Sequence, residues 1–291
     1  MQFKGIYVPI VTPFGPEGKI NFKVLEELIE RLIGEGVAGL VPCGSTGEFY
    51  ALSEEEKLSV MKKVVEVAAG RVTLLAGTNA PSTGEVLKNS QIAADLGYQG
   101  LLLAPPYYGL PSPRELINHF NVIADKIGLP IMLYNFPARA GVEIDYEVMD
   151  GIADNPNIVA IKESSGSMAR VFGLIQRYQG RVQLCCGSDD QALDYFMWGS
   201  VAWVGGAASF SAPRHVELIE ACIKGDFATG RKLMDKMLPL MCHLEEGRFN
   251  CKVKYCCQLA GIEAGDPRLP LLPLNNEEKA YIKPLYELAV S

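Results

Sequence analysis

Lys162 closes the run Ile158-Val-Ala-Ile-Lys162-Glu-Ser-Ser-Gly166. A lysine drawn partly out of water at the end of an apolar segment favours its free amine. A free amine attacks a carbonyl carbon and forms a Schiff base. The plain alternative is a lysine that ends a strand and points into solvent. Tyr134 opens Tyr134-Asn-Phe-Pro-Ala-Arg139. Its phenol can pass protons during carbinolamine formation and carbon–carbon bond cleavage, or it is a packing residue with a wet hydroxyl. Cys43-Gly-Ser-Thr-Gly-Glu48 joins Gly44 and Gly47 to the hydroxyls of Ser45 and Thr46. Such a turn lets backbone N–H groups approach a carboxylate, or is an ordinary Gly-rich turn. Arg139 either serves solubility or clamps a second carboxylate at two points. In Pro105-Pro-Tyr-Tyr-Gly109 the pair Tyr107 and Tyr108 is a packing or interface patch.

These residues need elements to hold them. Short apolar runs fall at Ile6–Val11, Gly39–Pro42, Val72–Ala76, Gly100–Ala104, Pro130–Tyr134, Ile158–Lys162, Val182–Cys186 and Val201–Val204. Helical patterns alternate with them near 21–34, 54–69, 83–96, 113–127, 146–153, 168–178, 190–198 and 213–224. Ser53-Glu-Glu-Glu56 and Ser112-Pro-Arg-Glu115 fit the capping box, and Gly34, Gly97 and Gly128 fall where helices end. Eight βα units predict an α/β fold, a (β/α)₈ TIM barrel, over 1–224. A C-terminal helical extension over 225–291 follows, from patterns near 226–246, 251–260 and 276–289. A doubly wound open sheet is the runner-up, but Val8-Pro-Ile-Val-Thr-Pro13 is not a dinucleotide turn.

In such a barrel the C-terminal strand ends form the active site. Lys162 and Tyr134 then stand on adjacent strands. The Ser45-Thr46 turn, at the end of the second strand, faces Lys162 across the mouth. A small 2-oxo acid could bridge them, with its ketone carbon on Lys162 and its carboxylate on the turn.

Composition narrows the function. Hydrophobic residues make up 48% of the chain, charged residues 21%, and the net charge is −7. No basic surface suggests nucleic acid, and no apolar run reaches the roughly 18 residues of a membrane span. The start lacks signal-peptide regions, so a cytoplasmic location is the expectation. Eight cysteines without a C-x-x-C pair, with three scattered histidines, read as small core residues rather than disulfides or a metal site.

Taken in order, Val11-Thr-Pro-Phe14, Gly44-Ser-Thr-Gly-Glu48, Pro106-Tyr-Tyr108, Tyr134-Asn-Phe-Pro137, Ile161-Lys-Glu163 and Gly187-Ser-Asp189 resemble one family over essentially the whole chain. It is the dihydrodipicolinate synthase / N-acetylneuraminate lyase family of pyruvate-type class I aldolases. The resemblance implies a lyase that needs no cofactor beyond a covalent imine on Lys162. Tyr134 then relays protons and positions the carboxylate end of the keto acid. Ser45 is the hydroxyl of the relay, and Thr46 contacts the pyruvate carboxylate. Tyr108 reaches in from a neighbouring subunit. Gly187 and Val204 line the keto-acid pocket, and Arg139 holds a distal carboxylate. The implied partners are a 2-oxo acid such as pyruvate and further copies of the chain, in a homotetramer built as a dimer of dimers.

The nearest named activity is 4-hydroxy-tetrahydrodipicolinate synthase, from pyruvate and aspartate semialdehyde. The departures keep other branches open. Ser45 stands where synthases carry threonine, and Gly109 replaces an asparagine. Phe49, Glu54 and Lys57 do not fit a lysine-feedback site, and Arg248–Lys254 lacks a proline-rich segment. Arg139 argues against sialic acid lyases. The string Cys186-Gly-Ser-Asp-Asp190 through Gly199 resembles branches that act on pyrroline-4-hydroxy-2-carboxylate or on 2-keto-3-deoxy sugar acids, as deaminase, aldolase or dehydratase. A non-catalytic keto-acid-binding barrel is the remaining alternative.

Overall fold

A computed structural model describes all residues, 1–291. Its eight parallel strands close into one barrel in sequence order. They are β1 (Gly5–Val8), β2 (Gly39–Leu40), β3 (Thr73–Gly77), β4 (Gly100–Leu103), β5 (Ile131–Asn135), β6 (Ile158–Glu163), β7 (Gln183–Cys186) and β8 (Ala202–Val204). Every residue of β4 and β5 is buried. Strands covered on both faces read as continuous apolar runs, which is why the sequence places them so closely. The first strand stops at Val8, short of the predicted Val11. Pro9 has no N–H to donate, so the ladder cannot continue through it.

Twelve helices accompany the strands. Those that wrap the first half are α1 (Phe22–Gly34), α2 (Glu54–Ala68), α3 (Thr83–Asp95), α4 (Pro113–Ile127), a short α5 (Pro137–Ala140) and α6 (Tyr146–Ile152). Then come α7 (Met168–Tyr178), α8 (Ala192–Met197), α9 (Ala208–Ile223), α10 (Phe227–Glu245), α11 (Phe249–Leu259) and α12 (Asn276–Val290). The capping box of α2 is closed in both directions: Ser53 N–H donates to Glu56 at 2.9 Å and Glu56 N–H to Ser53 Oγ at 3.2 Å. At α4, Ser112 N–H donates to Glu115 at 2.8 Å, and Pro113 holds the first helical position. The helix predicted from 213 begins earlier, at Ala208, and kinks at Ser211 just before Pro213. The pattern at 190–198 divides into a 3₁₀ turn over Asp189–Gln191 and α8. No helix is long and apolar enough to cross a membrane. All eight cysteines are free thiols, and only Cys242 is exposed.

The C-terminal helices do more than cover the barrel. On α11, Asn250 donates through Nδ2 to the Ser45 carbonyl at 2.8 Å. One helical turn further on, Lys254 forms a fully buried ion pair with Glu48 at 2.7 Å. The N–H of Arg268 donates to the other Glu48 oxygen at 2.9 Å, and its guanidinium pairs with Glu56. Glu48 itself is held in the left-handed region at φ 55°, uncommon for a residue with a side chain. The loop after β2 is therefore fastened from the far end of the chain.

Two buried imidazoles make the fold acid-sensitive. His119 and His215 lie in the core, each with an unpartnered Nε2, and burial lowers each pKa to about 4. Their ordinary value is 6.5, so the unfolded chain binds protons that the folded chain refuses. Above the ordinary value the two contribute nothing to the pH dependence. Stability is expected to fall between roughly pH 6.5 and 4, on the order of 2–3 kcal/mol for each ring. Thermal unfolding across pH, with imidazole titration by NMR, checks this. A folded-state titration near the ordinary value would contradict it.

Candidate active site

Tyr134 and Lys162 face each other in the β5–β6 register, at the C-terminal ends of their strands. The Lys162 ammonium nitrogen lies 4.2 Å from the Tyr134 ring centroid. Both are almost fully buried, at 6% and 7% exposure. No carboxylate pairs with the amine. Its contact is the π face, which attracts a cation without taking a proton from it.

The amine and the phenol open onto a cavity of about 20 Å³, room for about one water molecule. Six residues singled out from the sequence line it: Thr46, Tyr134, Arg139, Lys162, Gly187 and Val204. Four do not. Gly44, Ser45 and Gly47 belong to the loop behind Thr46, where the Gly47 carbonyl accepts a hydrogen bond from Thr12 Oγ1 at 2.7 Å. Tyr108 is away from the wall, 95% exposed and in the left-handed region at φ 74°. A larger groove of about 660 Å³ lies by Met1, Phe3 and Gln183, at the opposite end of the strands from Lys162.

Five further wall residues were given no role from the sequence: Phe136, Asp189, Gly206, Glu245 and Phe249. The aromatic pair explains how Arg139 is held. Pro137 starts α5 and turns Arg139 back over the mouth, between Phe136 at 5.0 Å and Phe249 at 5.8 Å. The ring contacts hold the exposed guanidinium at the mouth, and its N–H donors bond to no protein group.

Asp189 is buried. Trp203 Nε1 donates to one of its oxygens at 2.9 Å and Ala207 N–H to the other at 3.3 Å. Burial raises its pKa, and Lys162 opposes that rise. Glu245 ends α10. It keeps an exposed surface, but the protein crowded around its carboxyl pushes the pKa up to about 7. Desolvation is the largest cause; Asp189 and Asp190 add to it, while Lys162 and Arg139 oppose it. The string Gly187-Ser-Asp-Asp190 pointed toward Asp189. Nothing local marks Glu245 or Phe249, because only the packing of α10 and α11 brings them to the mouth.

Gly187 is required by the lysine stem. A Cβ there would lie 2.7 Å from Lys162 Cγ, 2.6 Å from the Glu163 carbonyl and 2.2 Å from Ser164 Oγ. Gly187→Ala is expected to cost about 1–3 kcal/mol in overpacking. Displacing the amine is expected to slow imine formation by about a hundredfold. Thermal melts and the rate of reductive trapping measure the two effects, and normal trapping would remove the steric argument.

Behind the pair lies a buried ionic network. Glu163 follows Lys162 and accepts from Arg170 Nε at 2.8 Å, from Asn135 Nδ2 at 2.9 Å and from Ser165 N–H at 2.7 Å. Asn135 follows Tyr134 and accepts from Ile144 N–H at 2.9 Å. Arg170 also donates to the Ile144 carbonyl. One network thus ties together the residues next to both reactive side chains.

The model of the dihydrodipicolinate synthetase family matches residues 2–287. The chain belongs to that family. A 4-hydroxy-tetrahydrodipicolinate synthase of Exiguobacterium sp. is 35% identical over 279 residues, covering 96% of this chain and 95% of its own. The structure of the enzyme of that name from Methylacidiphilum fumariolicum superposes with TM-score 0.94 at 34% identity, covering 99% of this chain and 96% of that one. The chloride-inhibited dihydrodipicolinate synthase of Acinetobacter baumannii, solved with pyruvate, gives 0.95 at 32% identity and covers 99% of both chains. Members of the dihydrodipicolinate synthetase family are class I aldolase-type lyases, and this protein is an enzyme of that kind.

Proposed function

We propose that the protein is a Schiff-base-forming 2-oxo-acid lyase whose activity is 4-hydroxy-tetrahydrodipicolinate synthesis from pyruvate and aspartate semialdehyde. The observation that carries this is the buried Lys162 amine at 4.2 Å from the Tyr134 ring, in a cavity shared with Thr46 and Arg139. The relatives' names point the same way.

The Lys162 amine attacks the pyruvate ketone carbon, and the carbinolamine loses water to give the imine. Loss of a methyl proton then gives an enamine, whose carbon bonds to the aldehyde carbon of the second substrate. The Tyr134 phenol moves protons at each stage. Thr46 seats the pyruvate carboxylate, backed by the N–H groups of the Gly44–Gly47 turn. Arg139, with its donors free, takes the distal carboxylate in two-point contact. Gly187 and Val204 shape the keto-acid end.

Ser45 and Tyr108 complete the proton relay, Tyr108 from a second copy of the chain. Its 95% exposure on a strained backbone supports that role, since such a conformation persists only where surroundings or function require it. The working assembly is a tetramer built as a dimer of dimers, and a monomer in sedimentation would sink that part.

The test of the reaction is borohydride reduction in the presence of pyruvate, read by intact mass, with aldehyde consumption followed in parallel. A pyruvate adduct on the wild type and turnover with aspartate semialdehyde are the expected results. No adduct would end the imine reading.

A further inference from the structure

We infer that Glu245 receives the amino group of the second substrate, opposite the carboxylate held by Arg139. This rests on the imine reading above and adds to it the residue that recognises an amine.

Glu245 occupies a position that the fold itself has no use for. It is the last residue of α10, where the helix dipole disfavours a negative charge. Asp189 and Asp190 face it from the segment after β7 and repel it further. Its neighbour Glu246 is paired with His243 at 2.8 Å, whereas Glu245 bonds to no protein group. A carboxylate that breaks a local rule with no structural return, on the wall of a reactive cavity, is placed for what enters that cavity.

The charges decide what that is. The cavity presents two cations, Lys162 from β6 and Arg139 from α5, and two acids, Asp189 and Glu245. Asp189 is already engaged by Trp203 and Ala207. A ligand carrying only carboxylates would find Arg139 attractive and Glu245 repulsive. An α-amino acid end satisfies both, with its carboxylate on Arg139 and its ammonium on Glu245.

The same contact prepares ring closure. The Glu245 carboxylate takes one proton from the ammonium. The freed nitrogen lone pair bonds to the imine carbon. A second proton passes from that nitrogen to the Lys162 nitrogen, the bond from carbon to Lys162 breaks, and the lysine leaves as an amine. The product departs as a cyclic iminium, with no external oxidant or reductant. A carboxyl whose affinity for protons is raised by its crowded site suits this proton transfer.

The experiment compares the full-length wild type with Glu245→Gln and Glu245→Asp. Each is assayed with pyruvate and either aspartate semialdehyde or succinate semialdehyde, the same aldehyde without its amine. In Glu245→Gln, kcat/KM for aspartate semialdehyde is expected to fall by about tenfold to a hundredfold, the value of a charged hydrogen bond. Glu245→Asp should recover part of it. Consumption of succinate semialdehyde and trapping of pyruvate should change by much less than that. Equal loss with both aldehydes, or no loss with either, overturns the inference. So does a wild type that traps pyruvate but ignores aspartate semialdehyde, although the imine reading would then stand. A wild type that traps no pyruvate overturns both.

Discussion

Lys162→Ala is expected to abolish the pyruvate adduct and lower turnover by at least about 10⁴-fold, as loss of a covalent nucleophile does. Lys162→Arg should be equally inactive, because a guanidinium does not give up its proton and cannot form the imine. The fold should not suffer. Lys162 is nearly buried and makes no salt bridge, and its ring contact with Tyr134 is the only polar contact that its replacement removes. The melting temperature of Lys162→Ala should therefore lie close to that of the wild type. A persistent adduct on Lys162→Ala would place the nucleophile elsewhere. The other deeply buried lysine, Lys254, is not a candidate, since it is paired with Glu48 and lies over the Phe14 ring at 3.9 Å.

Arg170→Ala is the second large effect, and it acts on stability. Glu163 is fully buried and Arg170 nearly so, with exposures of 0% and 7%. Removing the cation leaves a buried carboxylate with only the Asn135 and Ser165 donors. Breaking such a pair from one side costs about 3–5 kcal/mol. For a chain of this size that corresponds to a drop of roughly 6–15 °C in melting temperature. Activity should fall with it even well below the melt, because Glu163 and Asn135 directly follow Lys162 and Tyr134. Calorimetry and trapping rates on Arg170→Ala measure both. The double variant Glu163→Leu with Arg170→Met, which removes both charges, should regain much of the stability but not the rate. An unchanged melt for Arg170→Ala would show that the network is not what holds β5 and β6 together.

How much of this could be read beforehand varies by residue. The eight strands were legible because parallel strands buried on both faces appear as unbroken apolar runs punctuated by capped helices. Their order around the barrel followed from the right-handed βα unit. Lys162 and Tyr134 were legible together because a barrel puts consecutive strand ends side by side. The end of β1 was misplaced by the apolar look of Ile10 and Val11, which the missing Pro9 donor overrides. The start of α9 was missed because Pro213 looks like a first helical residue when a kink precedes it.

The sequence by itself determined the barrel, the lysine at its mouth, and the turn and arginine available to carboxylates, because these depend on local periodicity and on residue chemistry. Only the tertiary structure decided which of them share a wall. It moved Ser45 behind Thr46, turned Tyr108 outward, set Arg139 between two rings, and brought Glu245 and Phe249 from the far end of the chain. The placing of Glu245 and Phe249 depends on how α10 and α11 pack across the mouth, and the Lys254–Glu48 ion pair fastens α11 to the loop after β2. Contacts between residues so distant in sequence leave no periodic signal in the chain.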